Sequence, residues 1–118
     1  MTGVQTCALP ILAKSAFTRT VTTIVHTVTA GKIFHFTDFV VSCETAAAGA
    51  TVWIAVRNAA DVIQYTLLSP TFALNHTLLL GHTFGVPLEI PAGYDVVIGG
   101  SNAADGINAF VHGWEENA

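Results

Sequence analysis

The chain has 118 residues, of which 52% are hydrophobic and 10% charged, with a net charge of −4 and a mean hydropathy of +0.58. The length fits one domain, the apolar content excludes intrinsic disorder, and the negative balance leaves no cationic footprint for nucleic acid. The apolar runs are short, as in Phe39-Val40-Val41 and Leu78-Leu79-Leu80, so none approaches the roughly 18 consecutive apolar residues of a membrane-spanning helix.

Residues 1–11, MTGVQTCALPI, read in reverse translation as a common sequencing-library adapter with GTG taken as the start codon. A secretory signal is the rival reading, but the stretch has no basic n-region and Pro10 breaks its apolar part. Residues 1–12 are therefore expected to be an assembly artefact or a disordered N-terminus. Residues 13–118 are expected to form a single β-sandwich domain. Setting Cys7 aside leaves Cys43 alone, which excludes an intrachain disulfide framework. Its place at the end of an apolar run makes it a small core hydrophobe.

From there on the chain reads as strand and turn. Residues 17–28, rich in Thr, Val and Ile, predict one long strand. Thr29-Ala30-Gly31-Lys32 is a turn, residues 33–43 a second strand, and residues 45–50 a small-residue loop. Residues 51–57 and 62–68 predict two strands joined by the turn Asn58-Ala59-Ala60-Asp61, and Ser69-Pro70 ends the second. A single helical turn fits residues 70–75. Short strands follow at 77–80 and 86–90, separated by a bend over 81–85. After the turn Pro91-Ala92-Gly93 come strands at 94–98 and 107–115, with a loop between them. About eight short strands with turn signals every 8–12 residues predict an all-β, antiparallel, jelly-roll-like sandwich. A membrane barrel is not expected, because too few charges exist to line a polar lumen.

Two internal echoes stand out. Asn58-Ala59-Ala60-Asp61 recurs as Asn102-Ala103-Ala104-Asp105, and Thr29-Ala30-Gly31-Lys32 resembles Pro91-Ala92-Gly93-Tyr94. Asn and Asp bond to nearby backbone and tolerate left-handed geometry, so shared turn chemistry explains the first echo better than duplication.

No constellation carries chemistry. If the 29–32 turn closes a hairpin, His26 falls opposite His35, within about 5.5 Å at Cβ. Two imidazoles do not make a metal site, which needs three or four ligands, and in a sandwich such a turn often passes between sheets. His76, His82 and His112 lack ligand spacing. The carboxylates Asp38, Glu44, Asp61, Glu89, Asp95, Asp105, Glu115 and Glu116 form no recognisable acid/base pair. There is no G-x-S-x-G elbow, and Gly99-Gly100-Ser101 lacks the following helix that phosphate binding requires. Asn75-His76-Thr77 is a formal glycosylation sequon of a kind frequent by chance. No catalytic, cofactor-binding or metal-ligating residue is assigned, and the chain is not expected to be an enzyme.

The aromatics say more. In strict alternation Phe34 and Phe36 share one face with Phe39 opposite. Phe110 and Trp114 share a face with His112 between them, while Ile107, Ala109 and Val111 take the other. Trp53 reads as core. Two strands apolar on both faces suggest an outer face covered by another subunit; an aromatic platform for sugars is the rival interpretation.

Phe36-Thr37-Asp38, Pro87-Leu88-Glu89-Ile90-Pro91-Ala92-Gly93 and Gly113-Trp114-Glu115 together resemble small jelly-roll domains of tailed-phage structural proteins. The likeness covers residues 24–116, with Thr29 in place of the usual Pro of the first turn. The resemblance implies a virion component, either a capsid decoration protein or a tail, baseplate or fibre accessory domain. It implies a homo-oligomer, a trimer first, alongside other virion proteins in a virion or extracellular setting, without nucleic acid, membrane or cofactor. The alternatives are a carbohydrate-binding or adhesin module, with a glycan as ligand, and a pilus-like subunit that lends its N-terminal strand to a neighbour.

Overall fold

A computed structural model describes residues 12–18, 22–43, 51–69, 78–101 and 106–118. They form eight strands: β1 (Leu12–Thr18), β2 (Thr23–Thr27), β3 (Lys32–Cys43), β4 (Val52–Arg57), β5 (Ile63–Leu68), β6 (Leu78–Ile90), β7 (Asp95–Gly100) and β8 (Ile107–Asn117). The strands make two antiparallel four-stranded sheets, ordered β1-β8-β3-β6 and β2-β7-β4-β5. The first strand of the chain pairs with the last, the second with the seventh, the third with the sixth and the fourth with the fifth. That nesting is a long antiparallel ribbon rolled so that successive pairs fall alternately into the two sheets. The all-β, antiparallel, jelly-roll-like sandwich is therefore observed.

The interior lies between the sheets. Phe34, Phe36, Phe39 and Val41 of β3 with Ile107, Ala109 and Val111 of β8 face Val52, Ile54 and Val56 of β4 with Val96 and Ile98 of β7. Cys43 is buried at the end of this interior. Phe39 corrects the sequence reading. Thr37 is an extra residue in the β3 ladder, because Phe36 opposes Gly113 while Asp38 opposes His112. A bulge of this kind shifts the parity of everything after it. Phe39 and Val41 thereby join Phe34 and Phe36 inside, and His35, Asp38, Val40 and Ser42 occupy the outer face. The Thr37 hydroxyl sits 3.0 Å from the His112 carbonyl and 2.8 Å from the Asp38 carboxylate.

Two element boundaries differ as well. Residues 17–28 do not form one strand: β1 lies in the first sheet and β2 in the second. Thr-rich sequence has strand propensity throughout and carries no Gly or Pro to mark that break. Conversely, residues 78–90 are one strand, with no break at 81–85. Residues 84–87 instead bow out of the pairing, since Leu88 opposes Phe36 and Thr83 opposes Asp38. Trp53 is not core. It lies on the outer face of the second sheet, across Gly99 of β7, where any side chain would collide with its indole. Residues 1–11, the 45–50 loop, the turn at 70–75, the sequon and the second NAAD echo lie outside the described residues.

The turn echoes have physical content. In the first NAAD, Asn58 Oδ1 accepts from the amides of Ala60 (2.9 Å) and Val62 (3.0 Å), and Asp61 takes a positive φ of 64°. The turns Thr29-Ala30-Gly31-Lys32 and Pro91-Ala92-Gly93-Tyr94 share one geometry. The Lys32 amide donates to the Thr29 carbonyl (3.0 Å) and the Tyr94 amide to the Pro91 carbonyl (3.2 Å), with φ of 77° at Gly31 and 82° at Gly93. Glycine third in a four-residue turn is the type II requirement. The turns lie side by side, because the Val28 amide donates to the Tyr94 carbonyl (2.9 Å) and the Gly93 amide to the Val28 carbonyl (3.0 Å). One carries β2 into β3 and the other β6 into β7, so both strands of the ribbon cross between sheets at one corner. A Cβ at Gly93 meets only Ala59, at an ordinary 3.6 Å, so Gly93→Ala isolates the backbone term. We expect it to lower unfolding free energy by about 1–2 kcal/mol, read as a reduced urea midpoint at unchanged slope.

Candidate interaction surfaces

The outer face of the first sheet follows from its register. One row across β1, β8, β3 and β6 is Phe17, Asn108, Ser42 and Leu79; the next is Ser15, Phe110, Val40 and Gly81. Neither row contains a charge. Phe17 is 55% exposed, Leu79 73% and Phe110 48%, so large apolar groups stand in water on a sheet whose inner face is already filled. The third row is Ala13, His112, Asp38 and Thr83, and beyond it His35 lies between Trp114 and Glu89. The face thus grades from apolar at one end to ionisable at the other. The expected sharing of a face by Phe110, His112 and Trp114, opposite Ile107, Ala109 and Val111, holds.

Three histidines each meet a carboxylate, His112 and His35 at this ionisable end and His26 between the sheets. His112 Nδ1 lies 3.0 Å from Asp38 Oδ2. The His35 ring stacks on Trp114 with centroids 4.8 Å apart and planes 10° apart, and its Nε2 lies 2.5 Å from Glu116 Oε1. His26 Nε2 lies 2.8 Å from Glu115 Oε2, with its ring edge-on to Phe34. Because the 29–32 turn crosses between sheets, His26 pairs with Val96 rather than facing His35. The turn passes between the sheets, so the hairpin that would set His26 opposite His35 does not form. No group of three potential metal ligands exists among the described residues.

Glu115 is the cross-sheet tie. It sits at the inner end of β8 and receives both His26 of β2 and the Thr29 amide, the latter at 3.0 Å. Burial pushes its carboxyl upward, but the hydrogen bonds from Thr29 and His26 and the charge of His26 outweigh that, and its pKa falls below the ordinary value. Asp38 follows the same logic. Its partial burial raises the carboxyl, while Thr37 and His112 lower it by more. Register across a bulge decides these pairs, and sequence spacing carries no signal for them.

The second sheet's outer face has different chemistry. Thr27, Asp95 and Arg57 form one row across β2, β7 and β4. Buried Asp95 accepts from Thr27 Oγ1 (2.6 Å) and Arg57 Nε (3.0 Å), and Asp61 lies 3.4 Å from the same guanidinium nitrogen. Further along, Val97 and Ala55 are fully buried although they face outward, while Ile24 and Ile63 remain exposed. Trp53, Ala55, Ile63, Thr66 and Ser69 line an open depression of about 240 Å³.

No family model and no curated protein matches the chain. Among solved structures, a chain from the structure of infectious bursal disease virus, Gt strain, is similar over 91% of this chain, at 13% identity and a TM-score of 0.35. The match covers 32% of that chain, so the present one spans about a third of its length.

Two outcomes follow from these contacts. The depressed Glu115 pKa contributes stability that is complete above the ordinary carboxylate range and lost as pH falls through the folded-state value. The stability gap between wild type and Glu115→Gln should therefore shrink as pH falls from the ordinary carboxylate range through the lower folded-state value. Equilibrium unfolding across that range reads it. Asp95→Ala should cost about 2–3 kcal/mol, because it strips Arg57 and Thr27 of their shared acceptor; denaturant unfolding at neutral pH measures that.

Proposed function

We propose that this chain is a non-enzymatic structural subunit that self-associates through the outer face of its β1-β8-β3-β6 sheet. The carrying observation is the charge-free pair of rows holding exposed Phe17, Leu79 and Phe110. A 12-residue β3 makes the face about 40 Å long, and four strands make it about 15–20 Å wide. That is roughly 600–800 Å², close to the ≈ 800 Å² each partner contributes to a standard interface. Large apolar side chains exposed together on an uncharged stretch of sheet favour association over a solvated monomer. The ionisable end supplies the polar rim that interfaces carry around an apolar centre.

The resemblance of the FTD, PLEIPAG and GWE segments to tailed-phage structural domains supplies the setting. On that reading the protein is a capsid decoration or tail or fibre accessory component, a trimer in a virion or extracellular particle. In the filament-forming alternative the N-terminal strand is lent to a neighbour; β1 pairing with β8 of its own sheet from Leu12↔Gly113 to Thr18↔Ile107 weighs against it.

Light scattering tests the proposal. Wild type should run at about three times the 12.4 kDa chain mass. Phe110→Asp and Leu79→Asp should each shift the mass to that of a single chain without loss of the β-sheet circular dichroism signal. Each side chain stands outside the sandwich core, so a folded variant of unchanged oligomer mass would sink the interface assignment.

A further inference from the structure

The depression on the second sheet lies on the opposite side of the sandwich from the proposed self-association face. Its origin is a size mismatch along β4. Trp53, Ala55 and Arg57 point outward in succession, and the small Ala55 leaves a gap between a fused-ring neighbour and a long one. The Trp53 indole reaches toward β7, where Gly99 lets it lie against the backbone. On the other flank β5 is irregular. Thr66 opposes Ala55, Leu68 opposes Ile54, and the ladder slips by one residue between them. That slip opens the β5 side, where Ile63, Thr66 and Ser69 form the wall.

We infer that this depression is a binding site for one neutral sugar ring, seated between Trp53 and the hydroxyls of Thr66 and Ser69. Three observations select that chemistry. The lining combines an indole, aliphatic carbon and two hydroxyls, with no charged side chain among the described residues. A pyranose presents one C–H face and a girdle of hydroxyl groups, which fits an apolar aromatic surface beside side chains that both donate and accept. On the same face Arg57, the next outward residue of β4, and Asp95 are bonded to each other at 3.0 Å, so neither is free to select an ion. Finally, about 240 Å³ falls below the ≈ 300–1,000 Å³ of pockets for larger ligands, which limits the occupant to a single ring.

An open site of this size binds one ring weakly, with Kd on the order of 1 mM. Copies presented on a common oligomer gain avidity of about 10²–10⁴ toward a surface rich in the same sugar. The site is a property of the single chain, and only the avidity rests on self-association.

Titration of the full chain with glucose, galactose and N-acetylglucosamine, followed by two-dimensional NMR, tests the inference. At least one neutral sugar should give saturable shifts centred on the Trp53 indole N–H and the amides of Thr66 and Ser69. Thr66→Val, which removes one hydroxyl at an exposed strand position, should weaken binding severalfold at unchanged melting temperature, and Trp53→Ala should abolish it. Phe110→Asp should leave the single-ring affinity unchanged while lowering retention on a sugar-coated surface, which separates failure of this site from failure of assembly. The site assignment is overturned if no neutral sugar saturates by about 50 mM, if an anionic sugar alone binds, if shifts appear only with apolar peptides, or if Thr66→Val and Trp53→Ala both bind as wild type does.

Discussion

The sandwich depends on one corner, where both strands of the rolled ribbon leave one sheet for the other. A chain that changes sheets must bury backbone at the crossing without stranding its polar groups. Here the two crossing turns solve that jointly. Val28, 1% exposed, exchanges backbone hydrogen bonds with Gly93 and Tyr94 of the other turn. Glu115 then takes the Thr29 amide and His26 on one carboxylate oxygen, tying the end of β8 to both β2 and the first turn. The Ala118 amide donates to the Gly31 carbonyl at 3.0 Å, so the C-terminal strand is fastened to the same corner. Once this junction is set, β2 is committed to β7 and β3 to β6 and β8, and the register of the large interior follows.

The corner was half legible in the sequence. The TAGK and PAGY segments announced two turns of one geometry, because glycine with positive φ leaves a composition mark. Their adjacency left none, since it arises from pairing between residues more than sixty positions apart. The same division runs through the rest. Strand number and the faces of β8 could be read from alternation, which survives wherever a ladder is regular. Strict alternation misplaces Phe39 because one extra residue at Thr37 inverts parity, and a threonine in a strand gives no mark of a bulge. Trp53 was assigned to the interior because tryptophan is mostly buried; it is half-buried here by lying on Gly99 instead. The carboxylate–histidine pairs were illegible for the same reason as the bulge. Asp38 meets His112 only because the ladder slips before it.

The low charge content acquires a structural meaning from these contacts. With only 10% charged residues, an ordinary domain surface is unavailable, and many of the charges present are drawn into pairs. Arg57 is held by Asp95 and Asp61, Glu115 by His26, and Asp38 by His112. What remains for solvent on the two outer faces is largely hydroxyl and hydrocarbon. A chain of this length has limited interior relative to its surface, so its apolar residues exceed what one core can hold. The excess is gathered on the first sheet around Phe17, Phe110 and Leu79, and on the second around Trp53 and Ile63, rather than scattered.

Why association should use faces and not edges follows from the edges themselves. An unpaired edge strand is a template for further strand addition, and each of the four edges here is interrupted. On β1, Lys14 opposes Val111 and so occupies an inward position while remaining exposed. On β6, residues 84–87 including Pro87 leave the ladder, with Val86 83% exposed. On β2 the register slips between Ile24 and His26, and on β5 it slips twice within six residues. Inward charge, proline and bulges all frustrate a flat continuous edge. Continuous sheet growth between copies is thereby disfavoured on every side, while the rows from Phe17 to Leu79 and from Ser15 to Gly81 remain regular, uncharged and open. Blocked edges beside an open, uncharged face fit the proposed closed ring, in which each copy would offer different parts of that face to its two neighbours.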